Sequence, residues 1–214
     1  MPEPDLFAVL DRALARQGSS LRELSRKARA VALFGSRAAG CGTATSDWDL
    51  LCIGVGSSRK LRDIDLVWIE PRAVESAAWL GGDLAGHIAA HGLWIEGKPG
   101  WDLGAVSFPA AARVKESRVA RSVVALARAW DLLGPEYRVK HVTLLRRDVQ
   151  RWRLLQRGFP IPPSAVLDAA WDAEPRGRWL ADTLLGMNAP PELARSIAVT
   201  AEAPASGWRG KRQD

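Results

Sequence analysis

The sequence predicts an α/β (α+β) fold: a small mixed sheet flanked by helices, followed by a C-terminal helical half. Three observations carry this. Residues 31–34, 49–53 and 64–69 are short apolar runs, stopped by Gly35, by Gly54-Val55-Gly56 and by Pro71. Gly92-Leu93-Trp94-Ile95-Glu96-Gly97 has the look of a fourth short strand. Beyond Pro109 the strand signals vanish and apolar residues recur at helical spacing. Two regions result, 1–105 and 106–214.

Each element has a local reason. Leu6, Phe7, Leu10 and Leu14 repeat at helical spacing after Pro2 and Pro4 and give an opening helix of about four turns. Ser19 and Ser20 then cap a short helix over 20–28, with Leu21 and Leu24 on its apolar face. After the three strands, 73–90 reads as a helix weakened by Gly81, Gly82 and Gly86. Residues 114–133 and 137–156 carry long helical stripes, and Phe159-Pro160-Ile161-Pro162-Pro163 ends the second of them. A weaker helical stretch at 165–185 follows, with a frayed tail from 203 to 214.

Composition limits the function classes. In 214 residues, hydrophobic side chains make up 47% and charged ones 25%, which is globular usage and excludes disorder and collagen-like repeats. Two cysteines, Cys41 and Cys52, cannot build a disulfide framework and lack zinc-site spacing, so a reducing, cytoplasmic setting is expected. The N-terminal stretch is acidic and amphipathic, unlike a signal peptide, and no uncharged apolar run of about 18 residues exists, so no membrane partner is expected. The formal charge of +6 points to polyanions. It is unevenly placed: 12 basic and 13 acidic residues lie in 1–105, against 18 and 11 in 106–214.

Chemistry concentrates in 34–50. A strand runs into Gly35-Ser36-Arg37, a small-residue loop follows, and Asp47 and Asp49 open the next strand two residues apart. Positions i and i+2 of a strand share a face, so both carboxylates project to one side, next to a turn whose backbone N–H groups can approach a phosphate. Like charges so placed repel, and a divalent cation removes the objection. Asp65 interrupts an otherwise apolar strand and needs a partner, for which a metal shared with Asp47 and Asp49 suffices. Asp63, on the same face, reads as a strand-start residue. The loop is no Walker A, because Cys41-Gly42 stands where Lys-Ser/Thr belongs.

Gly35-Ser36, ten residues, Ser46-Asp47-Trp48-Asp49-Leu50 and then Ile64-Asp65-Leu66-Val67 together resemble the signature of the polymerase β-like nucleotidyltransferase superfamily, its minimal members in particular. The stretch from His91 to Pro99 is similar to the strand that closes the sheet in many of them. The resemblance covers about residues 20 to 105. It implies transfer of a nucleoside monophosphate from a nucleoside triphosphate to a hydroxyl, with release of pyrophosphate. It further implies that Asp47 and Asp49 bridge two Mg²⁺ ions. Asp65 would bind the catalytic ion and help deprotonate the acceptor, while Gly35 and Ser36 would hold the β/γ-phosphates. Minimal members commonly carry an arginine where this chain has Ala39, so the triphosphate contact falls to Arg37.

The acceptor is open at this level. An RNA 3′ end or a partner-protein hydroxyl, as in toxin–antitoxin modules, suits the basic helix at 138–157. An aminoglycoside-type antibiotic needs acidic residues from the helical half, whose net charge is basic. A catalytically silent nucleotide-binding module is a third reading. That basic helix reads either as a wall facing phosphates or as a solvated face whose arginine stems cover the core. His87 and His91 lie four apart without a third ligand and read as a packed or solvated pair. Most of the ten tryptophans belong to the core, with Trp48 or Trp101 placed to stack on a base.

Overall fold

The computed structural model describes residues 5–172 and 176–202; Pro2, Pro4, Trp208 and the tail from 203 lie outside the described residues. Helix α1, Leu6–Ala15, begins where the Asp5 carboxylate accepts the Phe7 N–H (3.0 Å), and it is shorter than the expected four turns because the chain turns back at Gly18, φ +71°. Helix α2, Leu21–Lys27, starts as the sequence predicts: the Ser20 hydroxyl accepts the Glu23 N–H at 3.1 Å.

The sheet follows. Its strands are β1 (Ala28–Phe34), β2 (Trp48–Gly54), β3 (Arg59–Lys60), β4 (Ile64–Ile69) and β5 (Leu93–Glu96), in the spatial order β3-β4-β2-β1-β5. The β2–β4 pair is parallel and the other neighbours are antiparallel. Parallel neighbours ordinarily require a crossover of a dozen or more residues. Here the chain instead passes Gly56, where any Cβ would strike the Trp68 ring, and lays β3 along the far edge of β4. A tight turn, closed by Leu61 N–H to Ile64 C=O at 2.8 Å, then returns it. The two-residue β3 is an element the sequence did not reveal.

Apolar groups cover both faces. Leu10, Leu14 and Leu24 pack on Val31, Leu33, Leu50, Cys52 and Leu66, while Val74, Ile88 and Trp101 pack on Ala30, Ala32, Leu51 and Ile53. The central strands are therefore apolar over most of their length, as strands buried on two sides must be. Burial also pushes the Cys52 thiol up to about 12, which leaves it inert.

The remaining helices are α3 (Gly35–Ala38), α4 (Ala77–Leu80), α5 (Asp83–His91), α6 (Phe108–Ala129), α7 (Pro135–Gln156), α8 (Ser164–Asp172), α9 (Arg176–Gly186) and α10 (Pro191–Glu202). The single helix expected over 73–90 is broken into a 3₁₀ turn, Ala73–Glu75, and then α4 and α5. At Gly81, where a Cβ would come within 2.8 Å of the Ala77 carbonyl, the path departs from helical. Helices α8 and α9 divide the stretch expected at 165–185, and α10 is additional.

Two compact units divide the chain. The first runs to Ala111 and includes Gly158–Ala165, so it extends past the expected 105/106 boundary and takes in the proline-rich segment; the second comprises Ala112–Arg157 and the described residues from Val166 onward. The second is helical, with a core of Val119, Val123, Val142, Leu145, Val149, Leu180, Leu184 and Ile197. A mixed sheet with flanking helices and a helical C-terminal region is thus the observed fold. Among the described residues, no helix is long and apolar enough to cross a membrane.

Candidate active site

Strand β1 ends at Phe34, and Gly35 (φ +74°) turns the chain into α3. Only glycine fits there, because a Cβ would collide with the Asp49 carboxylate oxygen Oδ2 and the backbone lies in the left-handed region. The Gly35 N–H donates to His87 Nε2 (3.2 Å), and His87 Nδ1 lies 2.7 Å from the Ile161 carbonyl. A nitrogen that accepts from a backbone N–H carries no proton, so the proton sits on Nδ1 and is donated to Ile161. His87 is a buried brace, and its ring lies 5.4 Å from that of His91. Neighbouring Ser36 makes no side-chain hydrogen bond among the described residues, while its carbonyl accepts from Cys41 N–H at 3.0 Å.

Arg37 holds the loop that follows. Its Nε and Nη2 donate to the Ser46 carbonyl (3.0 and 2.7 Å), Nη2 also reaches Ala44 O (3.3 Å), and the guanidinium lies 4.2 Å above the Trp48 ring. The Ser46 hydroxyl accepts the Thr43 N–H at 2.9 Å, closing the turn. Two of the guanidinium nitrogens expected to meet a triphosphate are thus committed to the protein.

The carboxylates come together by register. Asp49 on β2 lies directly opposite Asp65 on β4, and Asp47 precedes β2 by one residue. Neighbouring strands lie about 4.8 Å apart, so matched positions share a face at close range. Burial first, then the charges of Asp65 and Asp47, push the Asp49 carboxyl up to about 6, against the opposing pull of Lys60 and Arg37. Lys60, on β3 and opposite Asp65, sets its Nζ 3.6 Å from Asp47 Oδ2 and 3.9 Å from Asp65 Oδ2. Asp63 uses its carbonyl to accept the Trp48 N–H (2.8 Å) at the start of the ladder.

Among the described residues, no three His, Cys, Asp or Glu side chains converge closely enough to hold a metal ion as they stand. Mutually repelling carboxylates with an ammonium between two of them have no reason to converge before a cation arrives. The donor set nonetheless suits Mg²⁺, with hard oxygens only, one of them on an acid whose charge is poorly compensated.

Neither tryptophan proposed for base stacking is available: Trp48 and Trp101 are buried at 3% and 6% exposure. Arg37 covers Trp48, and Trp101 donates to the Ala85 carbonyl (3.1 Å) with Trp79 and Trp94 edge-on.

The basic helix α7 is largely engaged within its own unit. Arg146 and Arg147 converge on Asp168, Arg151 and Lys115 on Asp148, Arg138 donates to Trp130 O, and Arg153 lies over Trp179. Although burial alone would raise the Asp168 carboxyl, Arg147 and Arg146 hold it below its usual value. These side chains thus cover the acids and aromatic rings of their own unit. The helical unit also carries an open cleft of about 500 Å³ lined by Glu116, Trp152, Arg153, Gln156, Asp182 and Asn188.

No family model matches the chain, and no curated protein matches it either.

Proposed function

We propose that the chain is a Mg²⁺-dependent nucleotidyltransferase of the polymerase β-like kind. It would move a nucleoside monophosphate from a nucleoside triphosphate to a hydroxyl acceptor and release pyrophosphate. The observation that supports this most is the register match of Asp49 with Asp65 beside Gly35, with Asp47 immediately upstream and the Asp49 carboxyl raised to about 6. Asp47 and Asp49 would hold two Mg²⁺ ions, with Asp65 sharing the one nearer the acceptor. The ions, when bound, supply charge neutralisation at the attacking and leaving oxygens.

The chain's own residues do the positioning. Asp65 accepts the proton of the acceptor hydroxyl. Gly35 gives Asp49 room, and because its N–H is spent on His87, phosphate binding falls mainly to the N–H and hydroxyl of Ser36. Arg37 serves by fixing the 43–46 loop through which Asp47 is presented.

Two acceptor classes remain in play. An RNA end or partner-protein hydroxyl is the first reading. A small cationic, aminoglycoside-type acceptor is the second; the helical unit does carry acids, Glu116 and Asp182, in its open cleft, alongside Arg153.

The test offers labelled ATP, CTP, GTP and UTP with Mg²⁺ to total RNA, cell protein and aminoglycosides in parallel. Label should enter one acceptor class, and Asp47→Ala or Asp49→Ala should lower the rate by roughly 10²-fold or more. Full activity in either variant overturns the assignment. Nucleotide binding without transfer to any acceptor would favour the silent module instead.

A further inference from the structure

We infer that Lys60 is a tethered counter-ion that competes with divalent cations for the Asp47 and Asp65 carboxylates, so that metal enters the site by displacing it. The inference rests on reading those carboxylates as a metal site. The backbone builds the arrangement: β3 exists as only two residues, and its register sets Lys60 opposite Asp65, which is itself opposite Asp49. One row across three strands therefore reads ammonium, carboxylate, carboxylate. The ammonium lies 3.6 Å from Asp47 and 3.9 Å from Asp65, spanning the two rather than pairing tightly with either.

Its charge, with that of Arg37, opposes the rise of the Asp49 carboxyl, so it compensates part of the charge cluster. A single ammonium and a dication cannot occupy one gap between two carboxylates, and each repels the other. The side chain is 67% exposed, so it can swing into water at little cost when a better cation arrives. Lys60 thus sets a threshold: the carboxylates stay compensated without metal, and only a cation that binds more strongly than the tethered ammonium takes its place.

The experiment measures Mn²⁺ affinity by calorimetric titration and by loss of the free-ion electron paramagnetic resonance signal, on the full chain without nucleotide. Lys60→Gln should lower the Mn²⁺ Kd by roughly three- to tenfold, and Lys60→Arg should restore a value near wild type. Arg59→Gln removes the same charge from the neighbouring position, whose side chain the pleat sends to the opposite face, and should change Kd less than twofold. Asp49→Asn should abolish binding. An unchanged Kd in Lys60→Gln while Asp49→Asn still loses Mn²⁺ overturns the role of Lys60 alone. Equal tightening by Arg59→Gln reduces it to a general charge effect and likewise overturns it. Equal Mn²⁺ binding by wild type and Asp49→Asn overturns the metal-site reading and this inference with it.

Discussion

Asp49 carries a charge that its surroundings oppose. Burial first, and then Asp65 and Asp47, raise its carboxyl from the ordinary 3.8 to about 6, so the folded chain keeps a proton that the unfolded chain gives up. The stability contributed by the neutral acid is present in full below about pH 3.8 and is lost as pH rises through about 6. In metal-free buffer Asp49→Asn, which cannot ionise, should therefore be more stable than wild type near pH 8, the gap closing between about pH 6 and 4. Urea midpoints across that range measure it, and a gap independent of pH would refute the assignment. At this scale the sequence was informative. Asp47 and Asp49 could be placed on one face because strand alternation is local, but the register that sets Asp65 opposite Asp49, and the roles of Arg37 and Gly35, could not. Nothing in Gly35-Ser36-Arg37 says that the arginine spends its donors on Ser46 and Ala44, or that His87, 52 residues later, takes the glycine N–H. Those partners are set by tertiary approach.

Elements show the same divide. Helix α2 was legible because its Ser20 cap lies in the adjacent sequence, and β1, β2 and β4 because two-sided burial demands continuous apolar runs. Strand β3 was not: Arg59-Lys60 has no strand propensity and is a strand only because β4 offers an edge. A cue was present, since Arg62-Asp63 between Leu61 and Ile64 is a two-residue hairpin turn and would have paired Lys60 with Asp65. Helix α7 was legible in extent, but the partners of its charges were not. Asp148, its one acid after Glu136, is buried and accepts from Lys115 (3.3 Å) and Arg151 (3.2 Å), with Arg118 at 3.6 Å. Lys115 is itself only 3% exposed, so Asp148→Ala takes a close carboxylate from a buried ammonium and should cost about 3 kcal/mol in urea unfolding. Adding Lys115→Met should recover a good part of that loss. No recovery would mean that Asp148 acts through Arg118 and Arg151 instead.

Across the whole chain, the two units have separate cores, one on the two faces of the sheet and one among α6 to α10. Leu180, fully buried in the helical core, should when cut to alanine cost about 2–5 kcal/mol and split the calorimetric melt. The lower transition then moves, and Mn²⁺ raises only the other. A single peak that shifts as one would refute independent melting. The net charge of +6 also takes on a different meaning, because most α7 arginines are answered by Asp148, Asp168 or ring faces before any polyanion arrives. The bond from His87 to Ile161 has one more consequence. Ile161 belongs to a short return segment, Gly158–Ala165, so the sheet unit is discontinuous in sequence and the backbone passes between the units three times. Excising the first 111 residues as a free-standing domain would strip His87 of its Ile161 acceptor and weaken the brace on Gly35. Genetic dissection of this protein therefore has to carry the return segment along, or circularly permute around it.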